Sequence, residues 1–382
     1  MADVGRTVTE SGIRMIMDLA SGRTDVVHLE VGEPSFDTPV HVREAAACAI
    51  AGGYTRYTEN AGLRSLREVA AEKLCVRNGI RSDPDRVVVT AGGVAAVYQA
   101  VLALVRPGEQ VLVPDPGWPN YAMMATLAGA TPVPYPLAPE AGFVPDPEAL
   151  RRLARASSAT VLVVNSPANP TGAVWPESVH AAVLDVAAEC GLAVVSDEVY
   201  DEIVFDGAHV SPAALDADAL VVSVFSVSKT YAMTGWRIGY LDAPPAIARA
   251  IAKGQEAVLG CATAIAQKAA EAALSGPQDA VVEMVGSYRR RRDLVDRLLV
   301  ELGLHVSRPS GAFYVMADVS AATSDSYAFA RELLERRAVA VAPGEAFGSR
   351  GAGMVRISLA ASERDLRTGI ERLADAVAEG VS

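Results

Sequence analysis

Five short runs constrain this chain more than anything else in it: RVVVTA (86–91), QVLVPD (110–115), ATVLVVN (159–165), LAVVSD (192–197) and ALVVSVFS (219–226). They are continuously apolar and rich in β-branched residues, with no polar alternation. A strand with one wet face alternates, whereas a strand covered on both faces does not. Between the runs lie Ala/Leu-rich stretches with helical spacing, VAAVYQAVLALV, PESVHAAVLDVAAEC and PPAIARAIAKGQEAVL. Strand and helix in alternation predict an α/β fold, a mostly parallel sheet sandwiched by helices.

The last hundred residues read differently. A long charged helix starts near Pro277 and runs toward Gly303, followed by GAFYVMADV, a helix around YAFARELLERR, then RAVAVAPG and GMVRISLA. These shorter mixed elements predict a separate, smaller α+β lobe. The run YRRRRDLVDR (288–297) carries apolar residues at helical spacing (Leu294, Val295, Leu298, Leu299), so its arginines are expected on a solvated helix face. With 46 acidic against 34 basic residues the net charge is −12, which argues against a nucleic-acid partner. Cys48, Cys75, Cys190 and Cys261 form no CxxC pair, so a disulfide framework or zinc site is not expected and a reducing compartment fits. The N-terminal segment has no apolar core of signal-peptide length, and the apolar stretch 87–105 is broken by Thr90, Gly92, Gly93 and Gln99. A cytoplasmic protein with no membrane partner is expected.

In open α/β sheets, ligands bind beyond the carboxyl ends of the strands, so the residues that follow each run carry the functional signal. Gly92 and Gly93 follow the first and open a helix, where free backbone N–H groups favour an anion. After the second comes PGWPNY, whose Trp118 can serve as a flat platform for a ring. Asn169, in SPANPTG, follows the third; it precedes a proline and is held extended, with an amide free to donate to a ligand oxygen. Asp197 ends the fourth, a costly place for a carboxylate without a partner, and Tyr200 lies three residues on. The fifth leads into SVSKT, where Ser226, Ser228 and Thr230 flank Lys229, and Arg237 comes eight residues later. Each of these has an ordinary structural explanation. Together they make up one amine, one carboxylate, an anion cradle, hydroxyls, an arginine and an aromatic plate. Pyridoxal 5′-phosphate needs that inventory: a lysine amine, an acid at its ring nitrogen, and phosphate ligands.

VGEPSFDTP (31–39), YTRYTENAGLRSLREVAA (54–71), NSPANPTGAV (165–174), SDEVYDEIVF (196–205), SVSKTYAMTGWRIGY (226–240), RPSGAFYV (308–315) and MVRISLA (354–360) resemble the class I aminotransferases of fold type I, closest to the bacterial aspartate aminotransferase-like group. The resemblance implies a large PLP-binding domain at 41–284 and a small domain of 1–40 with 285–382 that closes over the active site. It implies an amino group moved from an L-amino acid to a 2-oxo acid, 2-oxoglutarate being expected, by a ping-pong mechanism. Lys229 resembles the Schiff-base lysine, Asp197 the partner of the ring nitrogen, and Tyr200 and Asn169 the donors to the ring oxygen. Ser226, Arg237, Gly93 and the backbone of Val94, beside Gly92, resemble phosphate ligands. Tyr57 would reach the cofactor of a second subunit, implying a homodimer with shared active sites. Trp118 resembles the stacking aromatic. Arg356 resembles the clamp for the substrate carboxylate, with Gly32 beside it, and the alternation of MVRISLA puts Arg356 opposite Val355 and Ile357. The chain departs from the pattern at Val94, where bacterial aspartate aminotransferases often carry lysine. The same motifs also admit a PLP-dependent lyase or decarboxylase, or a regulatory protein that keeps the fold.

Overall fold

The computed structural model describes residues 11–215 and 218–380. Among the described residues there are twelve strands: β1 (Val27–His28), β2 (Val87–Thr90), β3 (Gln110–Asp115), β4 (Thr131–Pro136), β5 (Ala159–Asn165), β6 (Ala193–Asp197), β7 (Val221–Ser226), β8 (Gly239–Asp242), β9 (Tyr314–Asp318), β10 (Val339–Ala340), β11 (Ala342–Pro343) and β12 (Met354–Ser358). The five apolar runs become β2, β3, β5, β6 and β7, two of them with the expected bounds.

Seven strands make one sheet in the order β2-β8-β7-β6-β5-β3-β4. It is parallel from β4 through β7, and β8 runs antiparallel to both of its neighbours. Burial alternates between the faces as a pleated strand requires. Val161 and Val163 pack with the helices Gly93–Leu104, Asn120–Leu127 and Pro245–Val258, while Leu162 and Val164 pack with Pro147–Ala156 and Glu177–Cys190. Near β2 and β8 the second face is covered by Val40–Ala51, Arg64–Arg77 and Ala264–Ser275. Apolar cover on both sides is the reason these strands carry no polar alternation.

β4 and β8 are absent from the sequence reading. β4 is TPVPYP, and proline in alternate positions argues against a strand. It survives because it lies at the sheet edge and pairs on one side only, along β3. β8 is four residues long and lies two residues beyond the short helix Thr234–Trp236, so the apolar run that Arg237 opens is too short to mark a strand.

The long helix, Asp279–Glu301, leads into a second core. There β11, β12 and β9 form an antiparallel sheet, and β1 pairs in parallel with β10. Ile16, Leu29, Val295, Leu299, Phe329 and Ile357 share this core, so residues before position 40 pack with the C-terminal segment. The arginine run departs from expectation. Arg289 and Arg290 are exposed, but Arg292 is buried, paired with Asp206 at 2.6 Å and lying over the Phe205 ring. A buried guanidinium needs such a partner. Among the described residues no helix is long and apolar enough to cross a membrane.

Candidate active site

The carboxyl ends of β5, β6 and β7 open into a cavity of about 250 Å³. Gly32, Gly93, Val94, Trp118, Asn169, Asp197, Tyr200, Ser226, Lys229, Arg237 and Arg356 all line it. Residues spread over more than three hundred positions of sequence therefore converge on one volume. Gly92 stands just behind the lining, as the residue preceding the helix Gly93–Leu104. Tyr57 does not join them: it lies in a loop beside Cys261 and Ile265 and is 94% exposed.

Asp197 is the last residue of β6, buried at the bottom of the cavity. Its carboxylate accepts the Tyr121 hydroxyl at 2.6 Å and the Val199 N–H at 3.3 Å. Burial outweighs these bonds and pushes its pKa up to about 6. A carboxylate in that state stabilises a cation set against it. Asn165, at the end of β5, ties the neighbouring loop in place: Nδ2 donates to the Asp197 carbonyl at 2.9 Å, and Oδ1 accepts the Asn169 N–H at 2.8 Å.

Lys229 sits in a short helix that follows β7 and is capped by the Ser226 side chain. Its Nζ donates to the Gly32 carbonyl at 2.6 Å. The anion cradle lies alongside. Gly92 has φ +88°, open to glycine at little cost, and a Cβ there would sit 2.6 Å from Arg237 Nη2. The arginine can thus lie across the first turn of the helix, where unpaired N–H groups and the helix dipole already attract an anion. Among the described residues Arg237 is otherwise held only by the Thr234 and Ala91 carbonyls, and no carboxylate there neutralises it.

Arg356 enters from β12 and is fully buried. One Nη donates to Asn169 Oδ1 at 3.0 Å and the other to the Glu30 carbonyl at 2.6 Å, while Nε has no partner. Its guanidinium lies between the rings of Tyr314 and Phe347 at 4.3 and 4.9 Å. Burial pulls its pKa below the usual arginine value, against the opposing pull of Tyr314, Tyr200 and Glu30. A buried cation with an unspent donor calls for an anion. Because Asn169 Oδ1 is committed to Arg356, its Nδ2 remains the donor available to a ligand.

Six lining residues escaped the sequence reading: Ile13, Tyr121, Asn165, Val199, Thr234 and Tyr314. Asn165 offered a signal, as the polar last residue of an apolar run. Tyr121 follows the Trp118 loop but lies in a helix, where nothing in sequence separates it from a core aromatic.

These residues fit pyridoxal 5′-phosphate. A phosphate has glycine-lined N–H donors with Arg237 beside them, a ring nitrogen has Asp197, and an aldehyde has the Lys229 amine. Residues 24–373 match the family model described as aminotransferase class I and II. The chain is 43% identical over 361 residues to the aspartate/prephenate aminotransferase of Thermus thermophilus, covering 94% of this chain and 92% of that one. Among solved structures, the Thermus thermophilus aspartate aminotransferase with maleate superposes with a TM-score of 0.92 at 40% identity, covering 98% and 99% of the two chains. The alanine aminotransferase of Pyrococcus furiosus superposes with a TM-score of 0.93 at 30% identity, covering 99% of this chain and all of that one. The protein belongs to the class I and II aminotransferases, enzymes that use pyridoxal phosphate.

Proposed function

We propose that this aminotransferase takes an amino donor with an uncharged side chain and passes the amino group to a 2-oxo acid, which occupies the same cavity in the second half of the cycle. The cation count of the cavity carries this reading. Lys229, Arg237 and Arg356 are the only lysine, arginine or histidine residues among the described lining. Each has a task, so within one subunit none remains for a second carboxylate. The space left beside them is bounded by Ile13, Val94, Trp118 and Thr234. The resemblance to an alanine aminotransferase supports a neutral donor, and the resemblance to aspartate aminotransferases is the competing indication.

In this reading Arg237, Ser226 and the backbone of Gly93 and Val94 hold the phosphate. Asp197 holds the positive charge of the ring nitrogen, with Tyr121 fixing the carboxylate. Trp118 covers a ring face, and Asn169 and Tyr200 donate to the ring oxygen. Bound pyridoxal phosphate supplies the carbonyl that receives the amine and the ring that absorbs the electron pair. Arg356 receives the substrate carboxylate with two parallel N–H donors, which fixes its direction as well as its charge. Lys229 Nζ removes the proton from the substrate Cα and would return it to the carbon on the other side of the transferred nitrogen. The Gly32 carbonyl at 2.6 Å gives that amine a fixed resting place.

The large domain at 41–284 carries the cofactor, and the small domain of 1–40 and 285–382 closes over it, bringing Arg356. Tyr57, exposed and remote from its own cavity, serves the phosphate of a second copy in a homodimer. Four scattered free cysteines suit the cytoplasm.

A donor screen tests the reading: the second-order rate constant of the donor half-reaction, followed by the change in cofactor absorbance with no oxo acid present, for alanine, leucine, phenylalanine, aspartate and glutamate. At least tenfold preference for an uncharged donor is expected. A preference for aspartate or glutamate overturns the substrate assignment. Lys229→Ala is expected to abolish turnover and visible cofactor absorbance, and full activity in that variant overturns the site.

A further inference from the structure

Tyr314 has no role in the assignments above, yet it touches two of their members. It opens β9 and is 1% exposed. Its hydroxyl lies 3.2 Å from the Tyr200 hydroxyl, with the two rings edge-on. The face of the same ring lies under the Arg356 guanidinium. β9 pairs with β12 so that Tyr314 stands opposite Ser358, and Arg356 is its diagonal neighbour two residues along, within reach of an aromatic side chain. Gly32 makes the space for the hydroxyl, since a Cβ there would sit 2.6 Å from Tyr314 Oη.

Counting protons orients the pair. A phenol has one proton to give and lone pairs to receive. Tyr200 spends its proton on the cofactor's ring oxygen, the role on which this inference rests, and can then only accept from Tyr314. Among the described residues the Tyr314 hydroxyl has no other hydrogen-bond partner. Its proton therefore goes to Tyr200. A hydroxyl that accepts a hydrogen bond becomes a stronger donor. Burial drives the Tyr200 phenol well above its ordinary pKa, so Tyr200 keeps the proton that it shares.

We infer that Tyr314 is a positioning residue for transamination. Its hydroxyl donates to Tyr200 and strengthens the Tyr200 bond to the cofactor oxygen, while its ring supports the arginine that receives the substrate carboxylate. A stronger bond to that oxygen favours the deprotonated form of the Lys229–cofactor linkage and holds its pKa down.

Tyr314→Phe in the cofactor-loaded enzyme tests this. The variant keeps the ring under Arg356 and loses only the donor. Titration of the visible absorbance is expected to show the linkage pKa raised by about half a unit to one unit, the range set by one neutral hydrogen bond. The dissociation constant of propionate, a carboxylate without an amine, is expected to change less than twofold. Tyr200→Phe is expected to raise the same pKa further, and the double variant to match Tyr200→Phe alone. Gly32→Ala, which displaces the hydroxyl but keeps the phenol, is expected to shift the pKa in the same direction. If Tyr200→Phe leaves the titration unmoved, the assignment of Tyr200 is wrong and this inference falls with it. If Tyr200→Phe shifts the titration but Tyr314→Phe overlays the parent, or if the two shifts add in the double variant, the inference alone is overturned.

Discussion

Asp197→Asn in the cofactor-free protein isolates the cost of building this site. The carboxyl has a folded pKa of about 6 against an ordinary 3.8, because burial outweighs the bonds from Tyr121 and Val199. The folded state therefore binds the proton more tightly than the unfolded chain. Its contribution to stability is complete below pH 4 and is lost as the pH rises through 6. A difference of about 2.2 units corresponds to about 3 kcal/mol of lost stability at pH 7.5. At pH 5 roughly 1.4 kcal/mol of that returns, from the populations of the two protonation states. Asparagine has the same shape, accepts from Tyr121, and does not titrate. The variant is expected to be about 3 kcal/mol more stable than the parent at pH 7.5, and about 1.6 kcal/mol more stable at pH 5. Urea unfolding of both apo-proteins at half-unit steps from pH 5 to 7.5 measures this. Parallel stability–pH curves would show that Asp197 is not held near pH 6 and that the carboxylate is not primed for a cation. Loading should reverse the order, because a cationic ring nitrogen stabilises the charged carboxylate and not the amide.

Two further outcomes follow from buried charges. Arg356→Lys keeps the charge but loses the two parallel donors, and is expected to raise KM for amino donors about a hundredfold. Steady-state kinetics with an unchanged far-UV spectrum checks this. Lys73→Met leaves Asp201 buried without its partner, beside the half-buried Glu202. A loss of about 3–5 kcal/mol in urea unfolding is expected, and a loss below about 1 kcal/mol would mean that water or Asn78 satisfies the carboxylate.

Much of the site was legible because the fold is repetitive. Asp197, Ser226 and the glycine pair each follow an apolar run, and in a parallel sheet the residues after every run arrive at one edge. No spatial knowledge was needed to group them. Residues that reach the cavity sideways were not legible. Tyr121 projects from a helix onto Asp197, and Tyr314 opens a strand of the other core, where an aromatic reads as packing. Arg292 failed for the same reason in reverse: helical spacing marked its run as surface, and only tertiary contact with Asp206 and Phe205 shows it buried. β4 was lost because proline has a penalty in general but none on an edge.

The reversed strand β8 has a consequence for how the Arg237 end of the cavity is furnished. Its register sets Gly239 against both Thr90 and Ser226, so β8 begins at the rim where β2 and β7 finish. Most of the rim is equipped by what comes after a strand. Here the polypeptide turns back on itself, and a side chain two positions ahead of a strand, Arg237, is delivered to the same rim. A forward-running segment in that slot would have carried this cation to the far side of the sheet.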